Sequence, residues 1–322
     1  MIWEKDDVND NKMYKVSVIV VMYNPIPEKL WLTLNSIIDQ EKVDLEIVIA
    51  DDGSKNNLFD AIEEYMKKND FSNYKLVYHK QNQGTVLNCY DGVNQASGDY
   101  IKLISPGDLL ISKNVLYQWI DHMVKSNLGW SFGEAVYYIN DKKCRTVSRE
   151  THPQNIQPYV KHNEAKCRWN YLILDDIALG AEIITTRDLS LQYLRRIIYK
   201  VKYAEDNIYR IMMFDGVIAD YYPNNVILYE CNTGVSTSGD TKWTRLLHDD
   251  WVATNEIIMS NVYEGDAVQA KIKRQMLKKY SKNKNIRIIA KLTANGWLIF
   301  KLKNKFNPRL SNTNYDVNLC LK

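Results

Sequence analysis

Two periodicities alternate along the first hundred residues of the chain. Residues 16–22 (VSVIVVM) form an unbroken run of mainly β-branched and apolar side chains, the pattern of a strand covered on both faces, as in a parallel sheet. Tyr23-Asn24-Pro25 ends the run, and residues 28–39 then place Leu30, Trp31, Leu34, Ile37 and Ile38 at helical spacing. The alternation repeats. Residues 45–50 (LEIVIA) predict a second strand, closed by Asp51-Asp52-Gly53-Ser54, and residues 58–68 a second helix. A strand at 74–78, a helix at 84–96 and a strand at 100–104 follow. Strands separated by helices in this order predict a parallel, right-handed α/β sheet.

Beyond residue 110 the rhythm changes. Residues 114–123 read as helix, and 130–139 with 144–147 as a hairpin around Asn140-Asp141. Residues 148–163 are polar with two prolines and predict a loop. A short apolar segment covers 178–185, a helix 203–214 and a last strand 226–229. From residue 242 onward only helical patterns appear, at 243–260, 267–280 and 286–303. A soft boundary near Gly239 divides the chain into an α/β unit, 1–239, and a helical region, 240–322.

Composition adds little to this picture, and charge adds more. With 45% hydrophobic and 25% charged residues over 322 positions, the chain has the make-up of a soluble globular protein. A net charge of +3 is too mild to argue for nucleic acid. The charge is nevertheless uneven: residues 267–315 hold 13 Lys and Arg and no Asp or Glu. With apolar residues interleaved through 271–309, that stretch reads either as peripheral contact with an anionic membrane or as a helical subdomain packed on the core. Five scattered cysteines, none in CxxC spacing, read as reduced thiols of a cytoplasmic protein. The polar, acidic start is not a signal peptide, and no apolar run is long enough to span a membrane.

The candidate chemistry sits at the strand ends. In a parallel sheet the carboxyl ends of the first, second and fourth strands face one crevice. They carry Tyr23-Asn24, Asp51-Asp52 and Ser105-Pro106-Gly107-Asp108. A Tyr or Asn can stack on or hydrogen-bond a base, Asp52 can accept from a base or ribose, and Asp108 can hold a hard divalent cation. A lone Asp at a strand end is also a common turn former. Neither GxGxxG after the first strand nor GxxxxGK[ST] occurs, so neither phosphate-binding glycine loop is present. Lys80, ahead of the helix from Gly84, could bring positive charge to a donor.

Three segments together, VSVIVVMYN, LEIVIADDGS and NQGTVLNCYDGVNQASGDYIKLISPGD, resemble the family 2 glycosyltransferases of the GT-A fold, closely over residues 15–110 and more loosely to 236. The resemblance implies a GT-A nucleotide-diphospho-sugar transferase fold, mostly parallel sheet flanked by helices, with a helical C-terminal extension. It implies that Tyr23, Asn24, Asp52, Gly84, Ser105 and Asp108 meet the nucleotide sugar, with Asp52 at the base and Asp108 at Mg²⁺ or Mn²⁺ on the diphosphate. The sequence departs from the family at that motif: the usual Asp-x-Asp-Asp run is Ser105-Pro106-Gly107-Asp108 here, so only the last acid is kept.

The resemblance also gives Tyr203-Ala204-Glu205-Asp206 a role, with Asp206 as general base and Glu205 as an orienting or acceptor-binding acid. Read without it, two acids opening a helix simply favour the helix dipole. Gly180 falls in a segment that passes under the acceptor, and Asp176 just before it can hydrogen-bond sugar hydroxyls or cap the surface. Ser236 lies in a loop that resembles one closing over the diphosphate. The expectation is an inverting, metal-assisted transfer from a UDP-sugar to a surface polysaccharide or lipid-linked oligosaccharide, on the inner face of the cell membrane if the basic stretch docks there. A noncatalytic nucleotide-sugar or glycan-binding subunit is the alternative, since the metal motif is depleted. A nucleic-acid partner ranks last, because the basic tail lacks an aromatic stacking platform.

Overall fold

The computed structural model describes residues 13–140, 144–231, 241–261 and 265–315. The four alternating strands appear as β1 (Tyr14–Met22), β2 (Val43–Asp51), β3 (Tyr74–Tyr78) and β4 (Tyr100–Ile104), all parallel, in the spatial order β3-β2-β1-β4. Their intervening helices are α1 (Pro27–Ile38), α2 (Phe59–Lys68) and α3 (Thr85–Gln95). The β-branched runs form strands because both faces are covered. Along β1, Val16, Val18 and Val20 enter one apolar core with α1 and α2, and Ile19 points to the other with α3.

The second half completes the sheet in mixed orientation. It adds β5 (Leu109–Leu110), α4 (Val115–Ser126), β6 (Trp130–Ile139), β7 (Arg145–Thr146), α5 (Gln157–Val160) and α6 (Glu164–Trp169), which runs on into a π-helical turn, Asn170–Leu174. After a 3-10 turn, Gly180–Glu182, come β8 (Ile183–Thr186), α7 (Arg187–Ile197), α8 (Asn207–Asp215) and β9 (Asp220–Glu230). From β4 the order continues β8-β6-β9-β5, with β7 paired to β6 as the expected hairpin. Strand β8 runs antiparallel to both β4 and β6, and β5 runs antiparallel to β9.

Three expectations change. The loop expected at 148–163 contains α5. The helix expected from Tyr203 starts at Asn207, leaving Glu205 and Asp206 on the turn before it. The helix expected over 286–303 is two, because the chain breaks at Ala294-Asn295-Gly296. Helix α7 was not foreseen: its polar content is high, and only Leu191, Tyr193, Leu194 and Ile197 mark its buried face.

The helical region comprises α9 (Thr241–Ser260), α10 (Ala267–Lys279), α11 (Lys284–Thr293) and α12 (Trp297–Phe306). Ile258, Ile272, Met276 and Ala294 from it share the core that holds α3, α7 and α8. Past α12 the chain returns to the α/β unit. Leu310 bridges Glu150, the Thr151 N–H donates to the Arg309 carbonyl at 3.0 Å, and the Arg309 guanidinium pairs with Glu134.

Candidate active site

The carboxyl ends of β1, β2 and β4 open onto one cavity of about 650 Å³. Tyr23, Asn24, Asp52, Ser105 and Asp108 line it, together with Gly180, Glu205 and Asp206. Its size is that of a site for a nucleotide-sized ligand.

Asp52 is locked in place. Its carboxylate accepts the Gln83 N–H at 2.7 Å and the Gly84 N–H at 2.9 Å, and pairs with His79 Nδ1 at 3.0 Å. The other ring nitrogen of His79 meets Asp91 at 2.9 Å. Burial works against charge on His79, but hydrogen bonds to Asp52 and Asp91 outweigh it and raise its pKa above the ordinary 6.5. Asn24 ties the end of β1 to this turn: its N–H donates to the Ser54 hydroxyl at 2.6 Å and its side-chain oxygen accepts from the Lys55 N–H.

Asp108 ends the Ser105 turn. Pairing of β5 with β9 brings it beside Glu230, whose N–H donates to its carboxylate at 3.1 Å. Thr33 pins the turn from α1, accepting from the Gly107 N–H and donating to the Asp108 carbonyl, each at 2.9 Å. Burial raises the Asp108 pKa to about 7, against the opposing pull of the Glu230 N–H, Lys102 and Lys29. Lys102 lies fully buried on β4, its ammonium donating to the Leu103 and Ala181 carbonyls at 2.7 and 2.8 Å, and burial lowers its pKa to about 8. Lys29 pairs with Glu230 at 2.7 Å, and both line the cavity.

Glu205 and Asp206 lie side by side, half-buried, where they meet the cavity. Burial, with Asp206 and then Asp250 adding, lifts the Glu205 carboxyl well above the usual range. Burial also raises Asp206, but Arg210, one turn along α8, pulls it back toward ionisation. Both carboxyls are thus pushed upward, and Arg210 opposes the shift at Asp206. Helix α9 builds this geometry from outside the α/β unit. Asp250 accepts the N–H groups of Lys202, Tyr203 and Ala204 at 2.9, 2.6 and 3.0 Å, fixing the turn that presents the pair. Trp251 stacks 3.6 Å from the Arg210 guanidinium, Asn255 accepts from it at 3.0 Å, and Trp243, Leu247 and Trp251 also line the cavity.

Gly180 passes so close to Asp206 that an added Cβ would lie 3.2 Å from the Asp206 Cβ. Other expected site residues lie elsewhere. Lys80 is exposed and does not line the cavity. Gly84 acts from behind, through its N–H to Asp52, at a φ of +102° that suits glycine. Asp176 is buried away from the cavity, where it accepts the Gln154 and Asn155 N–H groups and fixes a loop instead of lining the site. Ser236 lies outside the described residues. Sequence reasoning missed His79, Lys29, Glu230, Asp250 and the α9 tryptophans. Only His79 had a local cue, its place one residue past a strand.

Among the described residues no cluster of three or more His, Cys, Asp or Glu could hold a metal by itself. Asp108 and Glu230 nevertheless share one wall of the cavity. One or two carboxylates completed by substrate phosphates and water suit Mg²⁺, so this donor set fits a cation that arrives with a diphosphate.

The family model described as glycosyl transferase family 2 matches residues 17–180. The poly-β-1,6-N-acetyl-D-glucosamine synthase of Staphylococcus epidermidis is 30% identical over 111 residues, 34% of this chain and 26% of that protein. A GalNAc(5)-diNAcBac-PP-undecaprenol β-1,3-glucosyltransferase of Campylobacter jejuni is 33% identical over 102 residues, 31% of this chain and 32% of that protein. These matches thus span about a quarter to a third of the relatives' own length. Among solved structures, S. aureus TarS 1–349 in complex with UDP-GlcNAc superposes with a TM-score of 0.55 at 17% identity, covering 90% of this chain and 77% of that one. The mannosyltransferase PcManGT of Pyrobaculum calidifontis, in complex with GDP-Man and Mn²⁺, gives 0.51 at 14% identity, covering 93% and 89%.

Proposed function

The chain belongs to glycosyl transferase family 2 and has the GT-A fold, and on that premise we propose that it transfers a sugar, with inversion, from a UDP-sugar to a surface polysaccharide or lipid-linked oligosaccharide. The observation that carries the reading is the convergence of Asp52, Asp108 and the Glu205–Asp206 pair on one open cavity. The relatives support the substrate classes: one makes poly-N-acetylglucosamine, one carries an undecaprenol-linked acceptor in its name, and TarS was solved with UDP-GlcNAc.

In this reading Asp52, held by His79 and two backbone N–H groups, accepts from the base. Asp108, with Glu230 beside it, would hold Mg²⁺ or Mn²⁺, which supplies positive charge to the leaving diphosphate. Lys29 adds a cation on the same wall. Asp206 is the base. It takes the acceptor hydroxyl proton as that oxygen bonds to the anomeric carbon, and the bond from that carbon to the diphosphate oxygen breaks, its electron pair leaving with the nucleoside diphosphate. Glu205, protonated, donates a hydrogen bond into the acceptor side. Arg210 opposes the burial that raises Asp206, favouring the carboxylate a base needs, and Gly180 leaves room for the acceptor to approach it.

The test is UDP release from UDP-GlcNAc and UDP-glucose with Mg²⁺ or Mn²⁺ present, alongside UDP binding by calorimetry. Wild type should turn the donor over slowly onto water. Asp206→Asn should lose about 100-fold or more in kcat, and Glu205→Gln less, while UDP binds all three within a few-fold. Absence of UDP binding, or an Asp206→Asn variant as fast as wild type, would sink the proposal.

A further inference from the structure

Helices α11 and α12 pack Ala290, Trp297 and Phe300 inward and turn most of their other apolar side chains outward. No residue of α12 is buried, and Ile299 and Phe306 are 74% and 76% exposed. At about 100° per residue, Leu298, Ile299, Leu302 and Phe306 fall within an arc of about 100° on α12. Lys303 flanks that arc on one side, Lys301 and Lys305 on the other. On α11 the exposed Ile289 and Leu292 share a face, opposite Arg287 and Lys291. A helix facing only water has the reverse arrangement.

The charges select the occupant. Residues 267–315 carry no acid, and among the described residues Lys301, Lys303 and Lys305 have no carboxylate within ion-pair distance. A second copy seated on this face would set lysines against lysines, and lysine is depleted in protein interfaces. A surface of acyl chains beneath phosphate headgroups matches both features. No described helix is long and apolar enough to cross a membrane.

We infer that α11 and α12 form a docking face for an anionic lipid bilayer, with Leu298, Ile299, Leu302 and Phe306 entering the headgroup boundary and the flanking lysines meeting lipid phosphates. The face is held on a firm support. Trp169 Nε1 donates to the Asn295 carbonyl at 3.0 Å between the helices, Gln275 donates to the Ala290 carbonyl at 2.7 Å, and Arg309 beyond α12 pairs with Glu134. The inference concerns where the protein works and stands whether or not sugar transfer is the reaction.

The experiment is sedimentation of the full chain with vesicles of phosphatidylcholine alone or with 30% phosphatidylglycerol by design (about one anionic lipid in three, ample for polybasic binding). Wild type should bind the anionic vesicles and lose that binding in high salt. At roughly fivefold per lysine, replacing Lys301, Lys303 and Lys305 with Gln should weaken it by about 100-fold. Ile299→Ser with Phe306→Ser should weaken it at least tenfold while leaving the unfolding midpoint unchanged, since neither side chain is buried. Three results overturn the inference: wild type left in the supernatant, variants that bind as wild type does, or a dimer by ultracentrifugation that needs Ile299 and Phe306 while vesicles go unbound.

Discussion

At the scale of single residues the site is a set of charges placed against their preferences. His79 shows what that placement achieves. It sits between Asp52 and Asp91, and its pKa lies above 6.5. A histidine raised by its partners adds stability that is fully present below its unfolded pKa and is lost as pH rises through the folded one. Replacing it with Asn should therefore lower the unfolding midpoint most near pH 6 and progressively less as pH climbs beyond the raised value. UDP affinity should follow the same course if His79 steadies Asp52 for the base, with kcat less affected because His79 itself does not line the cavity. Thermal scans and UDP titrations from pH 6 to about 9 would decide it; a midpoint difference that grows with pH contradicts the pairing.

At the scale of elements the turn that presents Glu205 and Asp206 depends on a helix that follows it by 35 residues in sequence. Asp250 of α9 takes three N–H groups from residues 202–204. Asp250→Ala leaves those donors without their acceptor and should cost about 2–4 kcal/mol of stability. It should also lower kcat, because Glu205 and Asp206 lose their fixed approach, while UDP affinity, set at the ends of β1 and β2, stays within a few-fold. Asp250→Asn keeps one acceptor oxygen and should recover part of both losses. Equal falls in kcat and UDP affinity would mean a general loss of structure instead. The same dependence explains what was legible in the sequence. Strands β1 to β4 were readable because a β-branched run reports its own burial, and Asp52 and Asp108 because they close such runs. Glu205 and Asp206 were visible as a pair, but their place ahead of α8 was not, since the acids are suited to a helix start. Lys29, Asp250 and Trp251 left no local trace: each enters the site through a contact between distant segments, and a lone Lys, Asp or Trp on a helix looks like any surface or core residue. Asp176 misled for the converse reason, being an acid near the site in sequence whose oxygens face inward to a loop.

At the scale of the whole molecule the helical region and the α/β unit are expected to unfold together. The apolar side chains of Ile258, Ile272, Met276 and Ala294 are buried in the same core as α3, α7 and α8, so opening the helices exposes the catalytic half. The return segment closes the arrangement. Arg309 pairs with Glu134 on β6 and donates to the Pro153 carbonyl at 2.9 and 2.6 Å, and the Tyr221 hydroxyl donates to the same carboxylate at 2.6 Å. Both partners are largely shielded from water, so removing one leaves the other poorly solvated, whereas removing both does not. Arg309→Ala should therefore cost about 2–4 kcal/mol and Glu134→Gln somewhat less, since Tyr221 can still donate to the amide oxygen. The double variant should cost less than the sum of the two. In every case one cooperative transition should shift as a whole, with circular dichroism giving the same midpoint as the fluorescence of tryptophans in both regions, Trp119 and Trp130 in the sheet layers and Trp243 and Trp251 on α9. A separate early transition in the helical signal would mean that the basic helices are a detachable module, and that the acid pair at 205–206 keeps its geometry without them.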